Sequence, residues 1–164
     1  MTKPKISFLA FFLLWAELQG WKVPIFHIQV CIFLEEFYLN GRTGLLMLPR
    51  GHSKSSILDV FNAWVIYCWP STQILHQGTT DSDAYKCSKG TRDVLERHPL
   101  CTGNPNVAIR QGEIERWFVE GTPDVRYGTM LAKGILSGVT GHRAHFIQND
   151  DVEVPSNIGT PEAR

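Results

Sequence analysis

The sequence predicts an α/β fold, a central sheet with parallel strands flanked by helices, and three observations carry this reading. A short apolar run bounded by turn residues stands at 43–48, as a buried strand does, and 72–79 and 144–149 fit further strands, the last less apolar because Gln148 and Asn149 stand where aliphatics are expected. Apolar residues recur at helical spacing from 55 to 68 and again from 81 to 97. The order strand, loop, helix, strand, helix is that of units whose neighbouring strands run parallel.

Taken in order, residues 6–18 predict a helix stopped at Gln19-Gly20. Its apolar run follows Lys3 and Lys5, as in a signal peptide, but no small-x-small cleavage site follows. A helix buried on all sides has the same composition and is the preferred reading. Residues 28–39 predict a second buried helix ending at Asn40-Gly41, and 43–48 (TGLLML) a buried strand. From Ser55 onward, Ile57, Phe61, Trp64, Val65 and Cys68 share one helical face until Trp69-Pro70 ends it. After the strand 72–79 comes a helix over 81–97, with Ala84, Cys87, Thr91, Val94 and Leu95 inward and Pro99 just beyond. The Gly/Asn/Pro-rich stretch 100–112 reads as loop. Strands are expected at 113–120 and 125–136 around the turn 121–124, and a last one at 144–149.

The 164 residues suit one domain or part of one. Sixteen Lys+Arg balance sixteen Asp+Glu, which excludes a chain basic all over and confines any nucleic-acid contact to a local patch. No apolar run reaches membrane-spanning length. Cys31, Cys68, Cys87 and Cys101 form no CxxC pair and are expected as free, mostly buried thiols. Cys87, His98 and Cys101 lack a fourth ligand for zinc.

Three segments carry chemistry. In PRGHSKSS (49–56) a loop precedes a helix and offers what a bound triphosphate needs. Gly51 lets the backbone turn close to an anion, Lys54 carries charge toward the terminal phosphates, and Ser55 stands where a hydroxyl would meet Mg²⁺. Against the strict phosphate-loop pattern, Leu48 and Ser53 replace glycines, and a plain basic turn before a helix is the competing reading. In FIQNDDVE (146–153) Asp150 closes a strand and Asp151 follows; alone, such a pair is usually a turn or cap. Paired with the loop 96 residues earlier, Asp150 fits a metal-shell acid and a second carboxylate fits the group that orients an attacking water. The third segment, GVTGHRA (138–144), sets Arg143 at the edge of a glycine-flanked loop.

LPRGHSKS and GILSGVTGHRAHFIQNDDVEVPSN resemble the ATPase motifs of the large terminase subunit of tailed phages, the podophage type above all. The resemblance covers nearly the whole chain. It implies a P-loop NTPase fold of the ASCE type, incomplete at its C-terminal end. It implies a helical lead-in over 1–40 and an ATPase core over 41–164, with Walker A at 49–56 and Walker B at 144–151. ATP and Mg²⁺ would be bound by Arg50, Gly51, His52, Ser53, Lys54, Ser55 and Ser56, with the metal between Ser55 and Asp150. Gln29 would contact adenine. Asp151 or Glu153 would be the catalytic carboxylate, Arg50 would contact the γ-phosphate, and Arg143 would act on a neighbouring subunit. The implied partners are double-stranded phage DNA, the portal protein, the small terminase subunit and further copies in a ring. The implied setting is the host cytoplasm, transiently docked on the prohead portal, outside the mature virion and without a membrane role.

The chain stops before the coupling strand, lid and nuclease domain such proteins carry, so open apolar surface at one sheet edge and slow or absent turnover by the chain alone are expected. A truncated remnant that at most binds nucleotide is the alternative function, and a helicase-like ATPase a further one. If the nucleotide reading is right, Asp150 stands within one water of the Ser55 hydroxyl.

Overall fold

The computed structural model describes residues 3–139 and 141–151. Two apolar helices come first, α1 (Phe8–Gln19) and α2 (Ile25–Leu39). The Ser7 hydroxyl accepts from the Ala10 N–H to start α1. Gly20 ends it in the left-handed region at φ 68°, and the Trp21 N–H then reaches back to the Ala16 carbonyl at 2.8 Å. Phe8, Phe11, Phe12 and Trp15 are buried, and the Phe8 N–H donates to Glu35 of α2 at 2.9 Å. The apolar run near the start is thus a packed helix. No helix among the described residues is long and apolar enough to cross a membrane.

Then follow α3 (Lys54–Cys68), β1 (Ile74–Gly78), α4 (Asp81–Arg97) and a single 3-10 turn (Pro105–Val107). The last elements described are β2 (Ile109–Gly112), β3 (Arg116–Val119), β4 (Met130–Gly134) and β5 (Phe146–Asn149). Among the described residues these strands make one mixed sheet in the order β2-β3-β4-β1-β5. β1 runs parallel to both β4 and β5, whereas β3 is antiparallel to β2 and β4. The fold is therefore α/β, with α4 on β1 and β4, α3 on α4, and α1 against α2 and α3. Phe8, Tyr38, Trp64 and Phe146 surround Phe61 with ring centroids 5.0–5.9 Å away, a cluster that fastens β5 to the helices. His98 stacks on Phe11 at 3.7 Å and donates from Nε2 to the Phe11 carbonyl, which makes it a core residue. The four cysteines are free and buried.

Three expected elements differ. The segment 43–48 joins no ladder, although its side chains alternate: Leu45 and Met47 are each 80% exposed while Leu46 and Leu48 rest on the core. A cavity of about 130 Å³ lined by both lies between this segment and β5, an edge strand among the described residues. Alternation makes a strand only where a neighbouring backbone pairs with it. Ile147 of β5 is also 59% exposed, so apolar surface is open on this side. The second difference is within 100–112, where Ile109–Gly112 is an edge strand paired with β3 and the turn-forming composition acts only up to residue 107. The third is 125–136, which shortens to Met130–Gly134. Asp124 Oδ1 accepts from the N–H groups of Arg126, Tyr127 and Gly128, a side-chain turn that holds those residues out of the sheet.

Candidate functional site

The loop before α3 is set by local geometry. The His52 N–H turns back to the Pro49 carbonyl at 3.4 Å, and Gly51 has φ 79°. Ser53, standing where a glycine would be expected, takes the left-handed conformation itself at φ 59°. A non-glycine residue held there costs about 1 kcal/mol or more. Asp151, at φ 47°, is the other non-glycine residue with positive φ among the described residues, and both lie at this site. Such a turn opening a 15-residue helix gathers backbone N–H groups and the positive end of the helix dipole. The cavity over it, about 470 Å³, is lined by residues 48–56 and Asp151.

The charged groups converge from three elements. Lys54 Nζ lies 2.8 Å from Asp150 Oδ1 and 2.5 Å from Asp151 Oδ1. The Ser55 hydroxyl donates to Asp150 Oδ2 at 3.2 Å, closer than one intervening water. The Thr79 hydroxyl, just past β1, donates to the Asp151 carbonyl. Burial opposes the Lys54 charge, but the hydrogen bonds and charges of Asp150 and Asp151 outweigh it and hold the ammonium above its usual pKa. Lysine is therefore the cation throughout the physiological range. The Ser55 hydroxyl and the Asp150 carboxylate are adjacent hard oxygen donors, the set that suits Mg²⁺.

A second cavity of about 410 Å³ adjoins this cluster, bounded by Asp59, His76, Thr79, Lys86 and Cys87 as well as Ser55 and Asp150. Asp59 sits one helical turn beyond Ser55. Burial pushes its carboxyl up to about 7, the nearby Asp150 charge adds to this, and a Cys87 hydrogen bond opposes it.

Of the residues singled out in the sequence, Arg50, Gly51, His52, Ser53, Lys54, Ser55, Ser56 and Asp151 line one cavity, with Asp150 beside them. Gln29 is exposed on α2. Phe26, one turn before it, places its ring 5.2 Å from that of His52, so this helix face borders the loop. Arg143 is not brought to the cluster. It lies before the opposite end of β5, on an open groove with Gln73, Asp124, Tyr127 and His145. Glu153 lies outside the described residues. Sequence reasoning missed Phe26, Asp59, His76 and Thr79. For Thr79 a signal existed, since ligands in such sheets gather at the carboxyl ends of parallel strands.

Over 98% of its length the chain is 30% identical to the large terminase subunit of Enterobacteria phage T3. The chain is terminase-like. It spans 27% of the length of that relative, about a quarter. No protein-family model matches the chain.

Proposed function

We propose that this chain is the nucleotide-binding core of a P-loop ATPase that drives double-stranded DNA into a phage prohead. The observation that carries the reading is the convergence of Lys54, Ser55 and Asp150 beneath a left-handed loop at the start of α3. In this reading residues 49–56 cradle the phosphates of ATP with their N–H groups, and Lys54 leaves the carboxylates to bind the β- and γ-phosphoryl oxygens. Mg²⁺ held by Ser55 and Asp150 would supply charge neutralisation between those phosphates. Asp151, or Glu153, accepts a hydrogen bond from the attacking water and orients it in line with the γ-phosphorus. In this reading Arg50 would contact the γ-phosphate from the loop itself, and Gln29, on the helix that carries Phe26, would contact adenine. Partners are DNA, the portal protein, the small terminase subunit and neighbouring copies in a ring, assembled in the host cytoplasm.

A titration of the folded chain with ATP and Mg²⁺ tests this. Lys54→Ala removes a charge-assisted contact and is expected to weaken binding about 10- to 100-fold. Unchanged affinity would overturn the assignment of the loop.

A further inference from the structure

Two polar residues stand where the architecture would accept aliphatic ones: Asn62 on α3, fully buried, and Gln148 in β5, nearly so. Gln148 Oε1 accepts from Asn62 Nδ2 at 3.1 Å and meets His76 Nδ1 of β1 at 2.7 Å. One oxygen thus joins three elements. Asn62 Nδ2 also lies 3.4 Å from Cys87 Sγ and 3.5 Å from Thr91 Oγ1, so its amide hydrogens face the available acceptors. With Gln148 presenting its oxygen, His76 must carry its proton on Nδ1. Burial keeps the ring neutral by lowering its pKa, although the Gln148 bond works the other way.

The geometry ties this oxygen to the phosphate site. Ser55, Asp59 and Asn62 recur at i, i+4 and i+7 and share one face of α3. Gln148 and Asp150 are two residues apart along the β5 backbone and its continuation, and His76 is directly opposite Gln148 in the parallel register. α3 and β5 therefore meet through two polar rungs, Ser55 to Asp150 at 3.2 Å and Asn62 to Gln148 at 3.1 Å. An all-aliphatic second rung would pack as well, and the ladder to β1 would still hold β5, but no directional bond would set its height against α3. A satisfied hydrogen bond has one register.

We propose that His76 is a positioning residue which, through Gln148, fixes the height at which β5 presents Asp150 to Ser55 and so sets the affinity of the site for the metal of a metal–nucleotide complex. This rests on the nucleotide reading above. Outer partners of metal ligands typically change metal affinity 10- to 100-fold when removed.

The test is binding of a fluorescent ATP analogue to the full chain across a Mg²⁺ series. His76→Leu and, independently, the volume-matched Gln148→Met are expected to raise the Mg²⁺ needed for half-saturation about tenfold, with metal-free nucleotide affinity unchanged. His76→Asn keeps a donor near the Nδ1 position and is expected to stay within about twofold of the parent. A loss of affinity equal with and without Mg²⁺, or no rescue by His76→Asn, would make the trio ordinary packing and overturn the proposal. Imidazole ¹⁵N shifts of the unmodified chain provide a check free of folding defects: an Nδ1–H tautomer is expected, and an Nε2–H tautomer overturns it. If the unmodified chain binds no Mg²⁺–nucleotide, the function itself falls and the inference with it. If it binds and Mg²⁺ demand is unmoved in the variants, only the inference falls.

Discussion

At its C-terminal end β5 delivers Asp150 and Asp151 into a cluster with Lys54, Ser55 and Thr79. Its N-terminal end follows Arg143 and His145, which border an open groove of about 910 Å³ shared with Gln73, Asp124 and Tyr127. The first end is over-determined by ion pairs, hydrogen bonds and two non-glycine residues in the left-handed region. At the second, Arg143 is exposed. The strand between them has four residues, about 13 Å at 3.3 Å per residue. One short strand thus separates a charge paired inside the fold from a charge presented outward. Arg143 is thus set back from the loop 49–56 of its own chain by the whole of β5; in the proposed function it would serve the site of a neighbouring copy.

The largest expected effect breaks or confirms that contrast. If the proposed function holds, Arg143→Ala should lower the ATP turnover of the assembled protein by on the order of 10³–10⁵ while leaving nucleotide binding intact. Mixed with subunits carrying Lys54→Ala, it should recover part of the activity, because one partner keeps the loop and the other donates the arginine. No recovery in mixtures shown to co-assemble would return the role to Arg50.

Next in size is the buried acid beneath the first end. The Asp59 carboxyl is near 7 in the fold against an ordinary value of 3.8. Between those values the folded state holds more protons than the unfolded one, so stability falls as pH rises from about 4 to about 7 and is level above. Asp59→Asn should remove this slope. It is expected to gain up to about 4 kcal/mol on the parent between pH 4 and pH 8, read from urea unfolding at both pH values. A parallel pH profile in the two proteins would contradict the burial of a carboxylate there.

The smallest effect concerns the loop itself. Ser53→Gly relieves left-handed strain but adds freedom to the unfolded chain, so a net change between zero and about 1 kcal/mol of stabilisation is expected. Ser53→Val should lose at least about 1 kcal/mol. Thermal unfolding checks both, and a clear loss in Ser53→Gly would remove the strain argument.

Much of this was legible in the residues. α4 was legible over its whole length, because its inner face recurs at helical spacing and Pro99 follows closely; the structure adds the Thr80 cap that starts it. The loop and the Asp150 strand were legible as a pair, and the structure brings Lys54, Ser55 and Asp150 together. The segment 43–48 misled, since its alternation is a side-chain property whereas a strand is a property of two backbones. Val125 and its neighbours misled for a local reason, the three N–H groups gathered by Asp124. Gln148 read as a weak strand residue, and its partners Asn62 and His76 lie 86 and 72 residues away, out of reach of any spacing rule. Ser53 read as a departure from pattern; its backbone nevertheless adopts the conformation the missing glycine would have supplied.

In the proposed function nucleotide is bound at one end of β5 and not at the other. Backbone amide shifts of the isotope-labelled chain, followed as Mg²⁺–ADP is added, test it most directly. The account predicts saturable shifts at Gly51 through Ser56 and at Asp150 and Asp151, with His142, Arg143 and His145 unmoved. Shifts centred on the groove at His142 through His145, with the loop unmoved, would contradict it.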